Sequence, residues 1–315
     1  MKILITGGAG FIGSSLADSL LNEGNDIVVV DNFNDYYAYE IKEANVKHNL
    51  DNPHYHLYKI DLTDKNALKN VFAENNFDAV VHLAGRAGVR PSIERPEDYV
   101  ESNILATIHI LELMKDFNVK KLVFASSSSV YGNCKAQIFS EDLKVTEPIS
   151  QYAATKSACE QFCYTYHKLY NMNIVCLRFF TVYGPRQRPD LAIHKFTDLI
   201  SKHQPIPVFG DGTTKRDYTY IDDIISGVKA AIAYNKTPYE IINLGGGEPV
   251  SLSQMIKTIE TTLGEKAIID RKPMQKGDVD KTVSDISKAQ RLLGYNPQTR
   301  FSDGIAKFIK WWKNK

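Results

Sequence analysis

Short apolar runs alternate with longer stretches of helical periodicity in the first 180 residues of the chain. The runs are long enough for buried strands and too short for helices. They lie at residues 2–6, 27–30, 54–60, 78–83, 121–125 and 173–180. Helical patterns occupy the intervals, most clearly at 64–75, 97–117 and 151–170. This alternation predicts an α/β fold with a doubly wound parallel sheet, whose ligands bind beyond the carboxyl ends of the strands.

The pattern changes after residue 180. Residues 181–220 are rich in proline and glycine and are predicted to be mostly loop, whereas 247–315 hold short helices and few strands. The helix and strand expected within 221–246 return to the main sheet. We therefore predict a nucleotide-binding domain over 1–180 together with 221–246. The stretches 181–220 and 247–315 are predicted to form a smaller mixed α/β lobe over the carboxyl edge of the sheet.

Three glycines separate the first strand from the first helix. Gly7 permits a tight turn, Gly10 lets a pyrophosphate approach the backbone, and Gly13 lets the helix pack closely on the strand. Phe11 and Ile12 lie at the helix start, where free amides face the phosphates. This strand, turn and helix predict a Rossmann-like site for a dinucleotide.

Asp31 ends the second strand, about 20 residues beyond the glycines, where a carboxylate suits the two hydroxyls of an adenosine ribose. It would repel a 2′-phosphate, and Asn32 rather than an arginine follows it. These residues predict NAD rather than NADP. The fourth strand ends in the small residues Ala84 and Gly85, which let backbone pass under a cofactor.

The third strand ends at Asp61 and Leu62, which are candidates for the adenine side of the same site. Two interpretations of Asp61 are open. Its carboxylate is suited to accept a hydrogen bond from an adenine amine. Alternatively it belongs only to the cap of the helix at 64–75, made through Thr63 or Asp64.

Composition narrows the class of protein. The chain has 315 residues, is 43% hydrophobic and 24% charged, and carries a net charge of +1. These values are typical of a globular protein and give no overall field that favours nucleic acid or an anionic membrane. No apolar stretch is long enough to span a bilayer, and the start lacks a cleavage site, so a cytoplasmic location is expected. The four cysteines and eight histidines show no metal-ligand spacing, and we expect free thiols and no metal.

A serine run and a tyrosine–lysine pair are the candidates for chemistry. Ser126 to Ser129 follow the fifth strand, and Tyr152 and Lys156 lie four residues apart on one helix face. A tyrosine has an unperturbed pKa of about 10, and a nearby ammonium favours its phenolate. Tyr152 is therefore predicted to act as a general base, with Lys156 as the source of the charge and a serine hydroxyl holding the substrate oxygen.

Several motifs together resemble the extended short-chain dehydrogenase/reductases of the nucleotide-sugar epimerase and dehydratase family. They are TGGAGFIG at 6–13, HLAGRAGVRPS at 82–92, SSSSVYG at 126–132, YAATK at 152–156, RFFTVYGPRQRPD at 178–190 and RDYTYIDD at 216–223. The resemblance implies that Tyr152 is the catalytic base and Lys156 its partner and a ligand of the nicotinamide ribose. It also implies that Ser127 contacts the substrate, with Ser126 and Ser128 as alternatives.

The differences from the family pattern favour one reaction. Dehydratases of the family carry an Asp-Glu pair before Val-Tyr-Gly, and the decarboxylases carry a glutamate at the second of these positions. This chain has Ser128 and Ser129 there. The resemblance therefore implies C4 epimerisation of a UDP-sugar, in which Tyr152 takes the hydroxyl proton, NAD takes the hydride, and the 4-keto sugar turns over before hydride returns.

Other matches concern the nucleotide end of the substrate. Arg216 matches the phosphate-binding arginine of the family, and Arg186 is a second candidate. Asp278 matches the carboxylate that binds the nucleotide ribose, whereas Gln275 stands where many relatives have arginine. Asn103 matches a residue that steadies the catalytic strand, and a plain helix-interior asparagine is the alternative.

The sugar is expected to be UDP-glucuronate, interconverted with UDP-galacturonate. The stretches 31–37 and 87–96 resemble the glucuronate epimerases of the family most, and Arg90 and Ser92 are substrate candidates within the second. Thr181, Ser127 and Ser128 are candidates to donate to the C5 carboxylate, and Arg188 is the candidate cation. UDP-glucose is the alternative sugar. A dehydratase or reductase, and a non-catalytic NAD-sensing or scaffold protein, are alternative functions.

The helices at 97–117 and 151–170 carry more apolar residues than one buried stripe needs. Those beyond the stripe include Ile104, Ile108, Leu111, Phe162 and Tyr166. Some of them are expected to pack on the sheet and the others on a partner. Since relatives pair these helices in a four-helix bundle, the resemblance implies a homodimer.

Overall fold

A seven-stranded parallel sheet forms the centre of the molecule in the computed structural model, which describes residues 1–273 and 281–315. The strands are β1 Lys2–Thr6, β2 Asp26–Val30, β3 Tyr55–Tyr58, β4 Ala79–His82, β5 Lys121–Ser127, β6 Asn173–Phe179 and β10 Tyr239–Leu244. Their order is β10-β6-β5-β4-β1-β2-β3, and all neighbours run parallel. The order reverses beside β1, which places a crevice at the carboxyl ends there. The predicted Rossmann-like α/β class is confirmed.

Helices cover both faces of this sheet. They are α1 Phe11–Leu21, α2 Tyr39–Val46, α3 Lys65–Glu74, α4 Val89–Glu94, α5 Pro96–Tyr99, α6 Ala106–Asp116, α7 Gln151–Tyr170 and α9 Ile221–Ala233. Successive residues of β1 point to opposite faces, so Ile3 and Ile5 join one buried cluster and Leu4 joins the other. Such burial on both faces explains why the strands are continuous apolar runs.

The helical pattern predicted at 97–117 is confirmed, since helical residues run without a break over 96–116. They comprise α5, a π-helical segment over Val100–Leu105, and α6. Asn103 lies in the π-helical segment and makes hydrogen bonds to two other elements, which are described below. The sequence did not indicate the π-helical winding of this segment.

The stretch predicted as loop, 181–220, contains regular structure. It forms β7 Thr181–Tyr183, α8 Ala192–Ser201, β8 Pro205–Phe209 and β9 Lys215–Tyr220. β9 pairs with β7 and with β11 Pro249–Ser251, and β8 pairs with β12 Ile268–Lys272. The remaining helices are α10 Leu252–Leu263, α11 Ser287–Leu293 and α12 Phe301–Lys313. These strands were missed because short strands bounded by proline and glycine resemble loops in sequence.

Two further features follow from the described residues. β10 pairs with β6, so the segment after α9 rejoins the central sheet. No helix within 1–273 or 281–315 has the length and apolar character needed to cross a membrane.

Candidate active site

A cavity of about 440 Å³ lies at the carboxyl ends of the central strands. It is lined by all the residues predicted to bind the cofactor. These are Gly7, Gly10, Phe11, Ile12, Gly13, Asp31, Asn32, Asp61, Leu62, Ala84, Gly85, Tyr152 and Lys156. Ser127, Ser128, Thr181 and Arg188 line the same cavity, so the predicted catalytic and sugar-binding groups share it.

The glycine turn has the shape that a dinucleotide requires. Gly7 has a φ of +70°, and a Cβ there would lie 2.8 Å from the backbone nitrogen of Ala84. A Cβ on Gly13 would overlap the carbonyl oxygen of Gly7. Both positions therefore exclude larger residues, and the turn stays narrow enough for phosphates to reach the amides at the start of α1. The residues present fit an NAD pyrophosphate.

Asp31 is held at the end of β2 by its own surroundings. Its carboxylate accepts from the amide of Ala9 at 3.1 Å and from that of Phe33 at 2.9 Å. The buried ammonium of Lys42 lies 3.8 Å away and donates to the carbonyl of Asn34. Sequence reasoning missed Lys42, because no motif marks a lysine that reaches the cavity only through the fold.

Both interpretations of Asp61 stay open in the structure. Its carboxylate accepts from the amide and the hydroxyl of Thr63, directly before α3, and at 2.6 Å from the side-chain amide of Asn32. Asp64 is the N-cap of α3, because its carboxylate accepts from the amides of Asn66 and Ala67. Asp61 also lines the cavity, and its contact with an adenine stays a prediction.

The serines at the end of β5 have different partners. The Ser126 hydroxyl donates to buried Glu160 at 2.5 Å. The Ser127 hydroxyl accepts from the amide of Ser129 at 3.1 Å, and its interaction with the phenol lowers the pKa of Tyr152. Ser127 is thus the serine that interacts with Tyr152, whereas the Ser126 hydroxyl is hydrogen-bonded to Glu160.

Lys156 and Tyr152 lie on the first turns of α7. The Ser150 hydroxyl caps this helix by accepting from the amide of Ala153 at 3.1 Å. The Lys156 ammonium donates to the carbonyl of Ala125 at 2.8 Å, and burial lowers its pKa. The helix thereby holds lysine and tyrosine against the end of β5.

The electrostatics of Tyr152 differ from the expectation. Burial raises the pKa of Tyr152, and the effect is opposed by the Ser127 hydrogen bond and by the charge of Arg188. The sequence had indicated Lys156 as the positive group. Lys156 is turned towards the Ala125 carbonyl, and Arg188 is the cation that lowers the tyrosine pKa in the structure.

Asn103 ties the cavity wall to the catalytic helix. Its amide nitrogen donates to the carbonyl of Arg86 at 3.1 Å and to the hydroxyl of Thr155 at 3.0 Å. Its amide oxygen accepts from the backbone nitrogen of Arg86 at 2.8 Å. Thr155 precedes Lys156, so Asn103 fixes α7 against the loop after β4. The plain helix-interior alternative was wrong.

Several predicted substrate residues lie outside the cavity lining. The guanidinium of Arg90 lies 5.1 Å from the ring centre of Phe209. The buried Ser92 hydroxyl donates to the Val89 carbonyl at 2.6 Å, and Arg216 donates to the Lys215 carbonyl. Asp278 and Gln275 lie outside the described residues.

Arg186, the second candidate for the diphosphate, lies outside the cavity lining. Its guanidinium pairs with Asp18 on α1 at 2.7 Å. The backbone of Arg186 has a φ of +68°, in the left-handed region.

The cysteines and histidines concern the prediction that the protein binds no metal. Within the described residues there is no group of three or more histidine, cysteine, aspartate or glutamate side chains suited to a metal ion. All four cysteines are free thiols; Cys159, Cys163 and Cys176 are buried, and Cys134 is half-buried. His82 is a packed strand residue between Thr6 and Thr107, and burial lowers its pKa to about 3.

Comparisons with known proteins show the family of the chain. The family described as GDP-mannose 4,6 dehydratase matches residues 4–308. A UDP-glucuronate 4-epimerase of Thermodesulfobacterium geofontis is 47% identical over 311 residues, covering 98% of this chain and 95% of that protein. UDP-glucuronate 4-epimerase 4 of Arabidopsis thaliana is 40% identical, covering 99% of this chain and 75% of that protein.

Solved structures give the same result. UDP-glucuronic acid 4-epimerase of Bacillus cereus, in complex with UDP-glucuronic acid and NAD, has a TM-score of 0.94 and 39% identity, covering 100% and 99% of the two chains. UDP-glucose 4-epimerase of Thermotoga maritima, with UDP-glucose, has a TM-score of 0.91 and 29% identity over the same shares. The chain belongs to the nucleotide-sugar epimerase and dehydratase family of the extended short-chain dehydrogenase/reductases.

Proposed function

We propose that the protein is an NAD-dependent UDP-sugar 4-epimerase that interconverts UDP-glucuronate and UDP-galacturonate. The observation that carries the sugar assignment is the position of Arg188. Its guanidinium lines the cavity close enough to Tyr152 to lower the tyrosine pKa, so a cation lies beside the candidate base. The relatives from Thermodesulfobacterium geofontis and Arabidopsis thaliana are named as UDP-glucuronate 4-epimerases, which supports this sugar.

The cofactor role is supported by the residues at the strand ends. The amides after Gly10 would bind the pyrophosphate, Asp31 and Asn32 the adenosine ribose, and Asp61 the adenine. Lys156 would bind the nicotinamide ribose. When bound, NAD supplies a hydride acceptor that takes hydride from sugar C4 and later returns it.

The protein's own groups would move the proton and hold the sugar. Tyr152 takes the C4 hydroxyl proton and gives it back after the keto sugar has turned. Ser127, which is near enough to lower the pKa of Tyr152, would hydrogen-bond the same C4 oxygen and so keep it beside the phenol. A protein that only sensed NAD would not need this serine, tyrosine and lysine in one cavity.

Oxidation at C4 gives a reason for further groups. The 4-keto form of a glucuronate is a β-keto acid. It loses carbon dioxide when the bond between C5 and the carboxylate is parallel to the π orbital of the C4 ketone. Thr181 and the serine hydroxyls are proposed to donate to that carboxylate, and Arg188 to pair with it. Dehydration is not supported, because the cavity carries Ser128 and Ser129 where the dehydratases carry acids.

The nucleotide end of the substrate is assigned to side chains near the lobe. We retain Arg90, Arg216 and Asp278 as candidates from the resemblance. Arg90 is exposed and Arg216 is partly exposed, so both side chains are accessible to a diphosphate. Ser92 is not retained, because its hydroxyl is buried and bonded within α4.

We propose that the two parts of the chain predicted from the sequence bind different ligands. Residues 1–180 with 221–246 would bind NAD, and 181–220 with 247–315 would bind the UDP-sugar. Thr181 and Arg188 belong to the second part yet line the NAD cavity, which supports catalysis at the junction of the two. The reduced state of the four thiols supports a cytoplasmic location.

A homodimer is proposed from the outer faces of the π-helical segment and α7. Val100, Leu105, Tyr164 and Leu169 are between 38% and 66% exposed. Half-buried Ile104, Ile108, Phe162 and Tyr166 lie beside them, whereas Leu111 is one of the predicted residues that pack in the core. Apolar side chains of this size on neighbouring helices favour a twofold contact.

UDP-glucose is the second candidate sugar, favoured by the similarity to the Thermotoga maritima enzyme. The test compares both sugars in the wild type and in Arg188→Ala, with Arg186→Ala as the matched control outside the cavity. The loss of Arg188 should reduce transition-state binding of UDP-glucuronate by about 1.5–3 kcal/mol, the range for a hydrogen bond to a charged group. UDP-glucose should be much less affected. Equal losses, or a wild type that prefers UDP-glucose, would overturn the glucuronate assignment.

A further inference from the structure

Arg188 is fixed on two sides by residues that the sugar does not need to touch. Its Nε and Nη2 atoms donate to the two carboxylate oxygens of Asp190, each at 2.9 Å. The guanidinium carbon lies 5.1 Å from the centre of the Tyr36 ring. One contact holds an edge of the guanidinium and the other holds a face.

The chain between the two charges is itself constrained. Pro189 separates them, and the amide of Leu191 donates to the carbonyl of Arg188 at 3.2 Å. A proline at the second position of such a turn has a fixed φ, so Arg188 and Asp190 keep one relative placement. The pairing is therefore built into the turn at 188–191.

The two partners differ in exposure. The Arg188 side chain is 18% exposed and lines the cavity, whereas that of Asp190 is 46% exposed and lies outside the lining. A guanidinium has five N–H donors, and the pair with Asp190 uses two of them. Donors therefore remain on Arg188 for an anion bound in the cavity.

Tyr36 is fixed by a hydrogen bond of its own. Its hydroxyl donates to the carbonyl of Ala87 at 2.5 Å, and Tyr99 donates to the same carbonyl at 3.0 Å. The ring thus has a fixed position beneath the guanidinium. Tyr36 lies in the loop between β2 and α2, so this contact joins the NAD side of the cavity to the loop that carries Arg188.

We propose that Asp190 and Tyr36 are positioning residues which hold Arg188 for an anionic sugar and so set the preference for a hexuronate over an uncharged hexose. This inference rests on the proposed function and adds two residues to it. Neither residue is proposed to touch the reacting atoms.

Asp190 has two opposed effects on the affinity for an anionic sugar. Asp190 repels a second carboxylate, but it is half-exposed, and water screens that repulsion. An arginine without such contacts loses side-chain conformational entropy when it binds an anion. Arg188 has already lost that entropy through its contacts with Asp190 and Tyr36. We therefore expect that removal of the Asp190 carboxylate or of the Tyr36 ring weakens the binding of the anionic sugar.

The experiment measures binding of UDP-glucuronate and UDP-glucose to the NAD-loaded protein by titration calorimetry. Asp190→Ala should weaken UDP-glucuronate by about five-fold or more and leave UDP-glucose within about two-fold. Asp190→Glu should restore part of the loss. Tyr36→Leu should act like Asp190→Ala, whereas Tyr36→Phe keeps the ring but loses its hydrogen bond to Ala87 and should lose less affinity than Tyr36→Leu. Asp51→Asn, an exposed carboxylate after α2, controls for the change in net charge.

Three results would overturn the inference in a wild type that converts UDP-glucuronate. These are an equal loss for both sugars, no loss for either, and tighter binding of UDP-glucuronate to Asp190→Ala. The proposed function fails separately, when the wild type forms no UDP-galacturonate, and the inference then fails with it. KM and kcat of the same variants give a second readout, since a lost anchor raises KM for UDP-glucuronate alone.

Discussion

Arg178 and Glu160 form a two-point ion pair directly beneath the serines at the end of β5. Nε and Nη2 of the arginine lie 2.9 and 2.8 Å from the two carboxylate oxygens, and the side chains are 2% and 0% exposed. Ser126 donates to the same carboxylate, and the Tyr131 ring lies 4.8 Å from the guanidinium carbon. The pair therefore joins β6 and α7 to the strand end that precedes Ser127.

Breaking this pair should be costly, whereas replacing it should not. Glu160→Gln leaves a buried charge without its partner and should destabilise the fold by about 3–5 kcal/mol. The double variant Arg178→Met/Glu160→Met should unfold in urea closer to the wild type. Its kcat should still fall, because Ser126 loses the acceptor that holds the strand end. A double variant with wild-type kcat would show that the pair has no part in positioning Ser127.

Tyr152→Phe should nearly abolish turnover and leave NAD binding intact. The change removes the phenol that takes the proton while it changes little volume, and a positioned general base contributes about 10²–10⁴-fold. The rate is followed by NMR of the sugar nucleotides, and NAD affinity by calorimetry. Tyr164→Phe, on the exposed face of the same helix, is the matched control. Activity of Tyr152→Phe within a few-fold of the wild type would remove Tyr152 from the role of base.

The rate should rise with pH through the ionisation of Tyr152. Burial raises the pKa of this group, so the deprotonated base is scarce at low pH and kcat/KM falls there. Arg188 lowers the same pKa, so its loss should move the acidic limb of the profile to higher pH. The profile is measured with UDP-glucose, which has no carboxylate to lose. Arg186→Ala should leave the limb in place, and an unmoved limb in Arg188→Ala would contradict the electrostatic link.

The proposed dimer should depend on the exposed apolar residues of α7 and the π-helical segment. Leu169 is 66% exposed and Val100 is 50% exposed. Leu169→Glu/Val100→Glu should sediment as a monomer at micromolar concentration, since buried charges without partners oppose association. Ile269→Glu on β12, where the isoleucine is 43% exposed, should leave the dimer unchanged. A wild type that sediments as a monomer would refute the dimer.

The features that the sequence predicted well depend on local pattern. The strands and the glycine turn follow from apolar runs and from residues at fixed spacing, and helix α7 begins at the residue expected from its pattern. Tyr152 and Lys156 reach one cavity because they share a helix face, which spacing alone indicates.

The features that it missed are decided by tertiary contacts. Lys42 reaches Asp31 through the fold of the loop after β2, and nothing in its neighbours marks it. The hydrogen bonds of Asn103 to Arg86 and Thr155 join parts of the chain that are distant in sequence. Arg186 pairs with Asp18, a partner 168 positions earlier in the chain, which its charge alone did not indicate.

The most direct test of the account follows a single hydrogen through the reaction. UDP-glucuronate that carries deuterium at C4 is incubated with the NAD-loaded enzyme in ordinary water, and the product is analysed by NMR and mass spectrometry. If C4 is oxidised and reduced again in one closed cavity, UDP-galacturonate should form with its deuterium still at C4. Absence of UDP-galacturonate would contradict the proposed C4 epimerisation, and UDP-galacturonate with ordinary hydrogen at C4 would contradict the return of the same hydride within the cavity.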